Sequence, residues 1–337
     1  MSCFRDAIEV AVRMRASGEI VRTEIGMSVH RPSSDPARAR RADVDGSGSP
    51  DMDTSGSGVA IIYLHGGGLL FGSRDDLPQA YIDQILARGH ALICLDYPLA
   101  PQTAAPDIIS STACAVDELV RERLAALGCT EHVLFGRSAG AYLALMLAAR
   151  AQRHRPGAAS ERDPECWPGP LAVWDFYGYT DLLAAFTCKP NPYYAAMPAV
   201  DDESAARIAA HRADEPLTCA PMEKRFSLYV YARQSGRWPE MVGADRRYAD
   251  RLGLAETDIA RLPPLFIAAS TTDRDVPFEV SKHLSRAAPH TELHTVYYLE
   301  HDFDRDPEQS AGPRAYRAAL DFLDTCRSAA RRKPRDG

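Results

Sequence analysis

What most constrains this chain is a rhythm. Short apolar runs recur along it: VAIIYL (59–64), ALICLD (91–96), EHVLFG (131–136), LAVWDFYG (171–178), LFIAAS (265–270) and LHTVYYLE (293–300). A strand that is apolar along its whole length must be covered on both faces, as in a parallel sheet packed between helices. The intervening segments supply those helices. Residues 77–89 and 107–128 each close on a glycine, AGAYLALMLAARAQ (139–152) is strongly apolar, and a last helix runs near 309–327. Repeated βα units predict an α/β fold on a doubly wound, mainly parallel sheet. With 337 residues the chain is long enough to bury a sizeable core around such a sheet.

Three segments depart from the rhythm. The first, 1–30, carries charge throughout; its opening MSCFRDAIEVAVRMRASGEI is expected to form an amphipathic helix ahead of a strand. It lacks the separate basic and apolar regions of a signal peptide. Residues 31–58 are rich in Ser, Gly, Pro, Asp and Arg, with almost nothing to bury, and are expected to be a disordered surface insertion. The remaining chain, 59–330, is expected to be one catalytic domain, with a cap inserted at about 179–260. That stretch holds six prolines between Pro190 and Pro239, and aromatics including Phe186, Tyr193, Tyr194, Phe226, Tyr229, Tyr231 and Trp238. Excursions at the carboxyl ends of parallel strands commonly build the pocket.

The chemistry concentrates at Gly136-Arg137-Ser138-Ala139-Gly140. A serine pentapeptide of this kind is weak alone, but this one follows a buried strand and opens an apolar helix. Such a strand–turn–helix holds the serine exposed on a strained turn, with Gly136 and Gly140 leaving room for strand and helix to approach. The helix N-terminus adds partial positive charge where an oxyanion would form. A second cluster, His65-Gly66-Gly67-Gly68, directly follows VAIIYL. Without Cβ atoms, its backbone N–H groups can face a substrate oxygen. Neither a G-x-G-x-x-G nor a Walker spacing is present to make it a nucleotide loop.

Together these residues resemble the hormone-sensitive-lipase-like (HGGG) esterases and lipases of the α/β-hydrolase superfamily. The resemblance rests on His65 to Gly68 with Gly72-Ser73 downstream, on Asp96-Tyr97-Pro98-Leu99-Ala100-Pro101, and on the 136–140 pentapeptide. The chain departs at Pro98 and Gln102, where that family usually has Arg and Glu, at Arg137, commonly Asp or Glu, and at Asp302, commonly Gly. The resemblance implies a serine nucleophile at Ser138 and an oxyanion hole from the N–H groups of Gly67, Gly68 and Ala139, with His65 structural. It also implies a triad in the chain order serine, acid, histidine. Asp273, in a D-x-x-V-P placement after LFIAAS, is the expected acid, and Asp275 is a competing candidate. His301, directly after LHTVYYLE, is the expected base; His283, His290 and His294 lie in helix or strand contexts instead.

The reaction so implied is hydrolysis of a carboxylic ester of small or medium acyl chain, a small-molecule substrate, with neither cofactor nor metal. Acyl transfer is the alternative within enzymology; binding of a small ligand without turnover is the alternative outside it. Arg137 is read as ion-paired or outward-facing rather than as an anion-binding residue. Net charge is −7, which argues against nucleic acid as a partner. No apolar run approaches the roughly 18 residues of a membrane span. The eight cysteines form neither CxxC nor a metal-ligand spacing, and a reduced, cytoplasmic protein is expected.

Overall fold

In the computed structural model the described residues are 2–32, 58–153, 169–211 and 215–332. Eight strands form one sheet: β1 (Ser2–Arg13), β2 (Ile20–Arg31), β3 (Gly58–Leu64), β4 (Ala91–Leu95), β5 (Cys129–Arg137), β6 (Ala172–Phe176), β7 (Leu265–Ser270) and β8 (Thr291–Val296). Their spatial order is β1-β2-β4-β3-β5-β6-β7-β8. β1 and β2 pair antiparallel, β2 joins β4 antiparallel, and every pairing from β4 through β3 to β8 is parallel. This is the α/β-hydrolase fold.

Alternate residues of each strand enter opposite layers, as strand geometry requires. Ile62, Leu64, Ile93, Leu95 and Leu134 pack on one face, against helices α2 (Ala105–Glu118) and α3 (Ala139–Arg153). Ile61, Tyr63, Leu92, Val133, Phe135 and Trp174 pack on the other, against α1 (Gln79–Ala87) and the last helix of the chain, Ala311–Arg332. Both layers are buried, which explains why β3, β4 and β7 read as apolar runs.

Two expectations need correcting. The N-terminus is a strand rather than a helix: β1 and β2 form a hairpin in register from Ser2↔Arg31 to Arg13↔Ile20. The deciding pattern is the alternation of buried Ile8, Val10 and Val12 with exposed neighbours, a period of two. The strand expected over 293–300 runs only from Thr291 to Val296, and Tyr297 and Tyr298 stand exposed beyond it. The expected disordered insertion at 31–58 falls almost wholly outside the described residues, which stop at 32 and resume at 58.

Between β6 and β7 the chain makes a helical excursion, with α4 (Asp202–Ala209) and α5 (Met222–Ser235) its longest helices. After β7 come α6 (Phe278–Ala287), then β8, then α7 (Ala311–Arg332). Among the described residues no helix is long and apolar enough to cross a membrane.

Candidate active site

Ser138 occupies the single-residue turn between β5 and α3 and takes a φ of 52°. Its N–H donates to the Phe176 carbonyl at 2.8 Å and its carbonyl accepts from Tyr142 N–H at 3.0 Å, so both sides of the turn are pinned. Gly136 lies between Leu64 and Asp175 in the sheet. A Cβ on Gly140 would fall 2.0 Å from the Leu64 carbonyl oxygen, so only glycine lets α3 cross the end of β3 this closely. Ala139, the first residue of α3, carries one of the amides that a helix start leaves without an internal partner.

The glycine loop leaves the end of β3 beside this turn; a Cβ on Gly66 would lie 3.7 Å from Ser138 Cβ. His65 is fully buried, its ring stacked on Tyr97 with centroids 4.1 Å apart. Its Nδ1–H donates to the Gly66 carbonyl at 2.7 Å, and the Tyr97 hydroxyl donates to the His65 carbonyl at 2.9 Å. The Gly67 carbonyl accepts from the amides of Leu70 and Phe71 at 3.0 and 3.1 Å, and the Gly68 carbonyl accepts from Trp238 Nε1–H at 3.0 Å. A trans peptide is planar, with N–H and C=O opposed. Holding the carbonyls of Gly66 and Gly67 therefore turns the amides of Gly67 and Gly68 the other way. Those two amides donate to no acceptor among the described residues.

His301 sits in the turn after β8. Its Nε2 lies 2.9 Å from Ser138 Oγ, and its Nδ1 lies 2.6 Å from Asp273 Oδ2. The other Asp273 oxygen accepts the amides of Asp275 and Val276 at 2.8 and 2.9 Å, which fixes the carboxylate's orientation. A carboxylate only accepts, so Nδ1 carries the proton and Nε2 of the neutral ring is left to accept from the serine hydroxyl. Asp275 approaches the ring from the other side, with Oδ2 3.9 Å from Nε2. The structure thus joins Ser138, His301 and Asp273 in one line and places Asp275 off it.

The family is read from the sequence match. The BD-FAE family profile matches residues 50–219, half of the chain. The chain belongs to the BD-FAE family. This is a family of α/β-hydrolase esterases. The BD-FAE match covers the glycine loop and the serine turn but ends before Asp273 and His301. Solved structures agree in fold. A protein of unknown function from Staphylococcus aureus subsp. aureus Mu50 is 29% identical, with a TM-score of 0.71 over 95% of this chain and 99% of that one. An alpha/beta hydrolase superfamily protein from Enterococcus faecalis is 25% identical, with a TM-score of 0.70 over 95% and 98%. Among curated proteins, the non-reducing polyketide synthase ausA of Aspergillus calidoustus is 26% identical over 210 residues. That stretch is 55% of this chain but 8% of the synthase.

In this BD-FAE chain, burial pulls the His301 pKa down, but the Asp273 charge and hydrogen bond, with Asp275 and Asp302, outweigh it and bring it to about 9. Arg137, next to the serine, is buried at the cavity wall with its charge already paired. It pairs with Asp304 at 2.9 Å and donates to the Tyr177 hydroxyl at 2.7 Å, while Tyr177 and Tyr316 both donate to Asp304. Tyr177 in turn sets its ring against His301 at 4.7 Å. Asp96 is buried and accepts from the Arg74 amide at 2.7 Å and from its guanidinium.

A cavity of about 710 Å³ opens over Ser138. Its apolar wall comes from Phe71 and from cap residues Tyr193, Tyr194, Met197, Met222 and Phe226. Sequence reasoning noted several of these aromatics without separating pocket from core. It missed Tyr177, Arg233 and Asp304; Arg233 and Asp304 lie among polar and charged neighbours, YARQSGR and HDFDRDPE, where nothing in the sequence marks them out. Among the described residues no group of three or more His, Cys, Asp or Glu side chains is disposed to hold a metal ion.

Proposed function

We propose that the protein cleaves carboxylic esters of small or medium acyl chain through an acyl-enzyme on Ser138. One observation carries this reading: the hydrogen-bonded line from Asp273 through His301 to Ser138, at 2.6 and 2.9 Å, beside the glycine loop. Ser138 Oγ attacks the ester carbonyl carbon as its proton passes to His301 Nε2. The carbonyl electrons move onto oxygen, where the amides of Gly67, Gly68 and Ala139 receive them; removing one such donor costs about 3 kcal/mol of barrier. Asp273 orients the ring and stabilises its cationic form. As the tetrahedral adduct collapses, the bond to the alcohol oxygen breaks and that oxygen takes the proton from Nε2. Water then attacks the acyl carbon, gives a proton to His301, and the acid leaves as the proton returns to Ser138. The cavity of about 710 Å³ lies within the range of small-molecule pockets, and the 179–260 cap that lines it is assigned a substrate-covering role.

The test is direct. A fluorophosphonate probe is expected to label the wild type and not Ser138→Ala, and only the wild type should release p-nitrophenol from short acyl esters. Asp273→Asn is expected to lower turnover by roughly 10⁴ through loss of the productive tautomer. Absence of labelling in the wild type would overturn the reading in favour of ligand binding alone. Acyl transfer is the second reading, favoured by the likeness to a segment of polyketide synthases, enzymes named for synthesis rather than hydrolysis. Labelling without hydrolysis, with ester formation when an alcohol acceptor is added, would select it.

A further inference from the structure

Asp275 is buried, with a side chain 7% exposed, yet it lines the cavity beside the reacting imidazole. Three cap side chains converge on it. The Tyr229 hydroxyl lies 2.9 Å from both carboxylate oxygens, the Tyr194 hydroxyl donates to Oδ2 at 3.1 Å, and Arg233 Nη2 is 3.1 Å from Oδ1. The same Arg233 nitrogen donates to the Asp275 backbone carbonyl at 2.8 Å. This is more than a cap needs merely to sit down. A buried carboxylate is costly unless fully partnered, and an apolar residue here would pack against the same tyrosines. What the carboxylate adds is a charge 3.9 Å from Nε2, on the side of the ring that exchanges a proton with Ser138.

The groups facing His301 are few. Asp273 holds Nδ1, Asp302 follows it in the chain, Tyr177 covers one ring face, and Ser138 and Asp275 lie toward Nε2. Behind Tyr177, Arg137 pairs with Asp304 at 2.9 Å and with Asp76 at 3.6 Å. At the mouth, Arg274 pairs with Glu300 and Arg305 with Asp302. Arg233 offsets part of the Asp275 charge from the far side of the carboxylate.

We propose that Asp275 is a second positioning carboxylate that acts through His301: clamped by Tyr194, Tyr229 and Arg233, it sets the pH at which the imidazole is free to take the serine proton, and so couples the cap to the reaction. This rests on the triad reading above, but it is measured separately from turnover. The His301 ring is titrated by NMR in the wild type, in Asp275→Asn and in Tyr229→Phe, and the pH profile of kcat/KM is recorded for each. Asp275→Asn removes the charge and is expected to lower the His301 midpoint by about one pH unit, with the acid limb of kcat/KM moving equally. Tyr229→Phe removes one donor, leaves the carboxylate charge less offset, and is expected to move both upward. A purely structural role predicts no such pair of opposite shifts.

An unmoved His301 midpoint in folded Asp275→Asn overturns the proposal. Should that variant fail to fold, an unmoved midpoint in Tyr229→Phe overturns it and an upward shift supports it. Shifted NMR midpoints in a protein that hydrolyses no ester uphold the coupling and overturn the esterase reading. Active protein with unmoved midpoints does the reverse.

Discussion

Ser138 holds a backbone angle that costs an L-residue roughly 1–2 kcal/mol, and the bonds from its amide and carbonyl to Phe176 and Tyr142 keep it there. Gly68 shows the opposite economy, a residue chosen for what it lacks. Its φ is +59°, and a Cβ there would fall 2.3 Å from Tyr229 Cε2. Gly68→Ala is therefore expected to push the tyrosine ring aside and rotate the neighbouring amide, lowering kcat/KM by at least about 10². Steady-state kinetics on a p-nitrophenyl ester, with circular dichroism to show an intact fold, would read this. At this scale the sequence carried the serine and the glycines, because a tight turn and a close approach leave few residue choices. It favoured Asp273 over Asp275 only through the family resemblance. Both follow the same strand, and only the two amides captured by Asp273 Oδ1 turn that carboxylate, and not its neighbour, toward Nδ1.

Elements were legible where one physical demand dominated. The central strands are buried on both faces, and β3, β4 and β7 show as apolar runs. β1 is half-exposed, so its signal is an alternation interleaved with charges, and its strand character depends on twelve residues of pairing with β2 that lie elsewhere in the chain. Helix α5 illustrates a harder case. It buries Arg225 and Arg233 alongside Leu228 and Tyr229, and each polar group has a task outside the helix. Arg225 reaches the Ala100 carbonyl at 3.2 Å, and just beyond the helix Trp238 donates to the Gly68 carbonyl. Trp238→Phe keeps an aromatic ring but trims the buried indole, and it removes one neutral hydrogen bond worth about 0.5–1.5 kcal/mol. It is expected to lower kcat by up to about tenfold with KM little changed, since the bond anchors the carbonyl end of Gly68, whose amide is proposed to face the oxyanion, and not the substrate. A kcat and KM measurement on one ester checks the split.

For the whole molecule, protons tie stability to activity. Burial holds His90 and His132 at about 4, against 6.5 for an ordinary imidazole. Below pH 6.5 the unfolded chain takes up protons these rings refuse, so stability falls from 6.5 toward about 4. His301 has the reverse sign: its folded value is raised to about 9, so its contribution is complete below 6.5 and fades as pH rises through about 9. Thermal melts across pH are expected to show the alkaline decline in the wild type and a flatter one in His301→Gln. In the proposed mechanism the competent form of His301 is the deprotonated one, so the most active pH is expected to lie above the most stable. The cap adds a constraint of a different sort. It is laced to the glycine loop at Gly68 and through a two-way backbone bridge between Gly72 and Ala220, as well as to Asp275. Swinging this segment clear like a hinged door would break each of these bonds, which favours entry of substrate through the standing mouth. Anyone hoping to retune selectivity by transplanting a foreign cap would be replacing part of the machinery along with the roof.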